Sequence, residues 1–152
     1  MVKVRPAILD DAADLARMLD AFNREFEEFS PGPEVLEGRV RRFIAEGEKE
    51  YLVIGDGPDG FAQISFSPSV WTDGPIGLIE ELYVVPGLRG QGRGRILMNA
   101  ILESAGTRGA SGLEVITGED DTAARRLYEA FGFRNEIEGE TNSRSLFYER
   151  EF

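Results

Sequence analysis

The residues best equipped for chemistry lie in one run, Glu80-Glu81-Leu82-Tyr83-Val84-Val85-Pro86-Gly87-Leu88-Arg89-Gly90-Gln91-Gly92-Arg93-Gly94-Arg95. Toward its end, Gly90, Gly92 and Gly94 alternate between an apolar stretch and a helical one. A backbone without Cβ atoms can curl until successive N–H groups point inward. A helix start adds orphan donors and the positive end of its dipole. Arg89, Arg93 and Arg95 place three cations within seven residues of an otherwise acidic chain. That combination fits a polyanion such as a pyrophosphate. At the beginning of the run, Glu80 and Glu81 offer carboxylates able to accept a proton. In a regular strand they point to opposite faces, so only one reaches a given cavity unless a bulge intervenes.

Composition narrows the chemistry further. The chain has neither Cys nor His, which excludes a thiolate nucleophile, a Ser-His-Asp triad and a cysteine-based zinc site. Acid–base work must fall to carboxylates, Lys, Tyr, backbone or water, and no metal is expected. With 17 basic and 28 acidic residues, the net charge is −11 and disfavours nucleic acid or an anionic membrane as a partner. No apolar run reaches the ~18 residues of a membrane span, and the start, Met1-Val2-Lys3-Val4-Arg5, lacks a signal-peptide core. A cytoplasmic protein is the expectation. The 152 residues contain no repeat, linker or low-complexity tract, so one domain over 1–152 is expected.

The elements that must position these residues follow from periodicity. A short strand at 2–5, stopped by Pro6, precedes a helix over 11–26 in which Leu15, Met18, Leu19, Phe22 and Phe26 share a face. Asp10-Asp11 stand where a cap and a favourable dipole charge belong. A second helix ends near Ala45, with Leu36, Val40, Phe43 and Ile44 on one side. Strands are predicted at 51–54, 61–67 and 76–85. A helix over about 92–105 and a strand at 112–117 follow. Asp120-Asp121 open another helix, stopped by Gly132, and two strands near 134–138 and 145–150 close the chain. The order β-αα-βββ-α-β-α-ββ predicts an α+β fold: a mixed, mostly antiparallel sheet of about six to seven strands flanked by about four helices.

Three phosphate-binding patterns compete for the glycine loop. A P-loop requires Lys-Ser/Thr after its last glycine, where Arg93-Gly94 stands, and a dinucleotide fingerprint requires Gly or Ala where Arg95 stands. The spacing Arg89-x-x-Gly92-x-Gly94 instead resembles the Gln/Arg-x-x-Gly-x-Gly/Ala loop of the GCN5-related N-acetyltransferase (GNAT) superfamily. Leu82-Tyr83-Val84-x-Pro86 is similar to that family's fourth strand. Asp121-x-x-Ala124-x-x-Leu127-Tyr128-Glu129-x-x-Gly132-Phe133 resembles its downstream signature, with Asp121 where Asn is common. Arg93 likewise occupies a position that the family usually fills with an aliphatic residue. The element order agrees from end to end.

The resemblance implies direct transfer of an acetyl group from acetyl-coenzyme A to a primary amine of a small molecule or peptide, without an acyl-enzyme. It implies that Arg89, Gly90, Gln91, Gly92, Gly94 and Arg95 hold the pyrophosphate, that Arg93 either adds a phosphate contact or faces solvent, and that backbone N–H groups of Leu82, Tyr83 and Val84 face the thioester. For Asp121, both a coenzyme A contact and a helix cap stand open. An alkylammonium with a pKa near ~10.4 must lose its proton; the resemblance favours Glu80 as base, with Glu81 the alternate. It also implies that Tyr128 protonates the departing thiolate, although Tyr128 shares an apolar face with Ala124, Leu127 and Phe131 and equally fits a core position. Phe26, Phe29, Trp71 and Glu80 are candidates for holding a cationic acceptor; a solvated acidic helix end and a tryptophan covering the core fit the aromatic residues as well. Homodimerisation through the final strand, with Leu146, Phe147 and Phe152, is compatible with the pattern. A non-catalytic acyl-coenzyme A sensor is the alternative function, and a nucleotide-phosphate binder a third.

Overall fold

The computed structural model describes residues 2–136 and 143–152. It divides into two compact units, Met1–Val115 and Ile116–Phe152. The first holds a five-stranded sheet in the order β1-β2-β3-β4-β5: Val4–Pro6, Glu50–Ile54, Gly60–Ser67, Ile76–Val84 and Gly112–Val115. The first three pairings are antiparallel and β4–β5 is parallel, joined by a helical crossover. The mixed, mostly antiparallel α+β architecture is therefore present.

Alternation along the strands builds two cores. Tyr51, Val53, Phe61 and Tyr83 face α1 (Ala12–Glu25) and α2 (Pro33–Glu46), where Ala12, Leu15, Met18 and Val40 are buried against them. The intervening residues Leu52, Ile54, Ala62 and Ile64 are also buried, and α3 (Arg93–Thr107) supplies Leu97, Met98 and Ile101 to the opposite side of the sheet. Burying each such aliphatic or aromatic side chain contributes about 1.5–3 kcal/mol. The α1 helix and the sheet are thus fixed by the period-3.6 and period-2 patterns of the chain.

Two local expectations are corrected. Pro6 does not stop β1 but closes it, paired with Leu52, and β1 is an edge strand where a missing N–H is tolerated. Asp11 does not cap α1 with its side chain. It instead receives the Arg5 guanidinium at 2.7 and 2.9 Å and the Ile8 N–H at 2.8 Å. Those bonds hold its carboxyl below the usual range and pin the entry to α1.

In the second unit, α4 (Thr122–Ala130) begins at Asp121, whose Oδ1 accepts the Ala124 N–H at 3.1 Å. It ends where the Phe133 N–H reaches the Tyr128 carbonyl at 3.1 Å. The expected total of six to seven strands is not met among the described residues. Of the two closing strands, residues 137 and 138 lie outside the described part, and what remains is one bridge, Glu136–Arg144, with no strand at 145–150. Apolar–polar alternation specifies which side chains share a face; it does not supply a partner ladder. Among the described residues no helix is long and apolar enough to cross a membrane.

Candidate active site

The glycine loop follows β4 through a tight turn, Pro86–Leu88, and runs into α3. Gly90 and Gly92 adopt φ of 73° and 83°, the left-handed region that a side chain disfavours, and a Cβ at either would meet open space. Steric crowding therefore does not explain these glycines; backbone curvature does. The N–H groups of Gly90, Gln91, Gly92, Arg93 and Gly94 meet no acceptor among the described residues, and the first helical bond here is Ile96 N–H to the Gly92 carbonyl at 3.1 Å. Consecutive free donors at a helix N-terminus form a site for an anion.

The arginines do something other than line that loop with free charge. Arg89 donates to both carboxylate oxygens of Glu25 at 2.9 and 3.0 Å and, through Nε, to the Val84 carbonyl at 2.8 Å. It thereby ties the end of α1 to the end of β4. Arg93 bonds Asp59 at 3.2 Å and the Gln91 side chain at 3.1 Å, anchoring the loop to the β2–β3 turn. Both guanidinium groups brace the loop through these bonds.

β5 accompanies β4 only over Ile76–Ile79. Beyond it, the β5-side edge of β4 from Glu80 to Val84 has no strand beside it among the described residues. Tyr83 contributes backbone there, since its ring is buried against Phe22 and Phe61, with centroids 5.3 and 6.1 Å away.

The carboxylates depart from simple alternation. Gln63 pairs with Glu81 and Ile64 with Ile79, so Glu80 is the extra residue of a β-bulge. The bulge resets the register, and Glu80 and Glu81 both reach the face shared by Gln63, Ser65 and Tyr83. The Lys49 Nζ lies 2.6 Å from both Glu80 oxygens, Ser65 Oγ donates at 2.9 Å, and the Gln63 amide donates as well. Burial alone would push the Glu80 carboxyl up; the hydrogen bonds from Lys49, Gln63 and Ser65 outweigh it and hold it below the usual range. Glu81 has no such partners. Burial, and then the charge on Glu80, push it up to about 7. The phenol of Tyr51, raised by burial and by both carboxylates, stays protonated.

Lys49, Gln63, Ser65 and Tyr51 escaped the sequence reading. Gln63 and Ser65 carried a signal, being polar at alternate positions within an apolar strand. Lys49 carried little, one cation among Glu46, Glu48 and Glu50. On the acceptor side, Trp71 is 90% exposed and does not cover the core, while Phe29 is 82% exposed. Phe26 stacks on Phe22 with centroids 5.3 Å apart. In the second unit, the Tyr128 ring lies 5.9 Å from that of Phe133.

Comparison with known proteins places this arrangement. A profile of the acetyltransferase (GNAT) family matches residues 15–133. A Bacillus subtilis protein described as an uncharacterized N-acetyltransferase is 28% identical over 137 residues, 89% of this chain and 91% of that relative. A crystal structure from Arthrobacter sp. FB24, provisionally assigned as an acetyltransferase, is 40% identical, with a TM-score of 0.90 over 99% of this chain and 96% of that one. A Clostridium acetobutylicum protein assigned as an acetyltransferase and solved with acetyl-CoA shares the fold, with a TM-score of 0.75 at 17% identity over 94% of this chain and 96% of its own. With a family match across most of its length, a sheet and helices of that architecture, and a donor-rich glycine loop entering α3, the chain belongs to the GNAT family of acyltransferases.

Proposed function

We propose that the chain is an acetyl-coenzyme A-dependent N-acetyltransferase, one domain over 1–152, acting on a primary amine of a small molecule or peptide. The observation that carries this reading is the unbroken series of acceptor-less N–H groups from Gly90 to Gly94 at the mouth of α3. These donors fit a pyrophosphate, held by backbone dipoles and by the helix end, with Arg89 and Arg93 keeping the loop in shape. Arg95, at the first turn of α3, belongs to the same proposed site. When bound, acetyl-coenzyme A supplies an acetyl group activated as a thioester.

The remaining roles belong to this chain's own residues. The backbone of Leu82, Tyr83 and Val84, on the β4 edge that β5 leaves uncovered, offers N–H donors where negative charge would develop. Of the two carboxylates, Glu81 is the better base. Glu80 already accepts hydrogen bonds from Lys49, Gln63 and Ser65, whereas Glu81 is unencumbered and has a proton affinity near neutrality. Tyr128 is the proposed proton donor to the departing thiolate, a role resting on the α4 signature. The Asp121 carboxylate is occupied as a helix cap. Phe26, Phe29 and Trp71 present aromatic surface suited to a cationic amine.

The test is thiol release from acetyl-coenzyme A across a panel of polyamines, aminoglycosides, amino acids and peptides, with product mass read for one added acetyl group. Release with at least one amine is the expected result. Tight binding of coenzyme A without release from any amine would identify a sensor instead.

A further inference from the structure

The carboxylate pair on β4 is tied to a residue far away in sequence. α2 ends at Gly47, whose φ of 67° reverses the chain, and the Glu48 N–H closes the turn on the Phe43 carbonyl at 3.2 Å. That reversal delivers Lys49 to the sheet beside Phe43, its Nζ 5.3 Å from the ring centroid and 2.6 Å from both oxygens of Glu80. The ion pair is about four-fifths buried at both ends. Ser65 and Gln63 of β3 occupy the remaining acceptor sites of Glu80.

The bulge then sets Glu81 on the same face, next to a carboxylate whose charge is fixed, and no cation pairs with Glu81 among the described residues. The groups facing the pair are Lys49 from the α2–β2 turn, Tyr51 from β2, the neutral Gln63 and Ser65 from β3, and Tyr83 of β4 itself, whose phenol is pushed up by burial. Tyr51 keeps its proton throughout the neutral range. Lys49 is thus the group that decides how much negative charge Glu81 meets.

We propose that Lys49 is a positioning residue for proton transfer: by keeping Glu80 ionised and locked against β3, it sets the proton affinity of Glu81. This rests on the reading of Glu81 as the base. A merely structural ion pair would change stability on removal, and even move a neighbouring titration, without carrying the pH dependence of turnover along with it. Lys49 and Glu80 act on Glu81 with opposite sign. Without the lysine, two carboxylates share the site with no cation and hold a proton to higher pH; without the Glu80 charge, Glu81 releases its proton more easily.

The decisive experiment is a 13C carboxyl NMR titration of the full chain, which needs neither acetyl-coenzyme A nor an acceptor. In the unsubstituted protein, burial and the charge on Glu80 push Glu81 up to about 7, and its titration is expected there. Lys49→Met moves it upward by roughly 0.5–1 pH unit, Glu80→Gln moves it downward by about 1 unit, and Lys49→Arg restores the original value within roughly 0.3 unit. The acidic limb of kcat/KM against pH follows in the same directions with whichever amine the acceptor panel identifies. A Glu81 titration that stays in place, or that moves the same way in Lys49→Met and Glu80→Gln, overturns the proposal. Should Lys49→Met fail to fold, an unmoved Glu81 in Glu80→Gln overturns it alone. If the titrations move as expected while the kinetic limb does not, Glu81 is not the base and the proposal falls with that reading, a pattern distinct from the others.

Discussion

Between Gly90 and Gly94 the backbone N–H groups face no acceptor, whereas ten residues earlier the carboxylate of Glu80 is surrounded by Lys49, Gln63 and Ser65. The loop leaves polar groups unsatisfied in a position open to solvent, where water meets their need at little cost. The bulge satisfies a largely buried charge completely, since an unpaired one there would cost several kcal/mol. A site built to receive a ligand keeps its donors waiting; a site built to tune a proton closes its partners around one carboxylate and leaves the neighbouring one bare. The two lie about ten residues apart in sequence and follow opposite electrostatic strategies.

The largest blow to this contrast comes from the loop. Gly92→Asp keeps a residue that tolerates the left-handed region, with open space for its side chain, but sets a negative charge among the donors. Affinity for acetyl-coenzyme A, measured by calorimetry, is expected to fall by ~10²-fold or more while the thermal midpoint changes little. Retained affinity would show that the loop is not the phosphate site.

Next comes the bulge. Glu81→Gln removes the proposed base, with an expected ~10²-fold loss in kcat that Glu80 does not rescue. Its stability effect has the opposite sign. The folded carboxyl, raised to about 7, holds its proton to higher pH than the unfolded chain does. Its stabilising contribution is complete below the ordinary carboxyl range and is lost as pH rises toward 7. Glu81→Gln should therefore be more stable than the unsubstituted chain at pH 8, by on the order of 2 kcal/mol, and no more stable at pH 4. Urea melts at both pH values check this, and equal curves would show that Glu81 bears no burden of desolvation.

The smallest effect is expected at Arg89. Its pairing with Glu25 is partly exposed, so Arg89→Ala should cost at most ~1 kcal/mol of stability. Loosening the strap between α1, β4 and the loop should weaken acetyl-coenzyme A binding by about 3–10-fold. Unchanged affinity would remove Arg89 from any part in forming the pyrophosphate site.

The loop was legible in the sequence because its information is local. Glycines at alternate positions before a helix specify curvature by themselves, and their spacing separates this loop from P-loop and dinucleotide patterns. The strands and helices from β1 to α4 followed from period 2 and period 3.6 for the same reason. The bulge was not legible. Strict alternation sends Glu80 and Glu81 to opposite faces; only the pairing of Gln63 with Glu81 and of Ile64 with Ile79 reveals the extra residue. Lys49 was invisible in the same way, since its significance arises from a partner 31 positions away. Residues 145–150 show the converse error, a two-faced pattern that did not become a strand among the described residues.

Arg89 and Arg93 spend their hydrogen bonds on Glu25, Val84, Asp59 and Gln91, which changes what kind of receptor the loop is. In a body of net charge −11, anions approach uphill, and the groups that greet them along Gly90 to Gly94 are backbone dipoles. Capture under such conditions leans less on long-range attraction and more on contour. An anion whose oxygens follow the bend of the chain is held at several points, and one of another outline finds only a single weak contact.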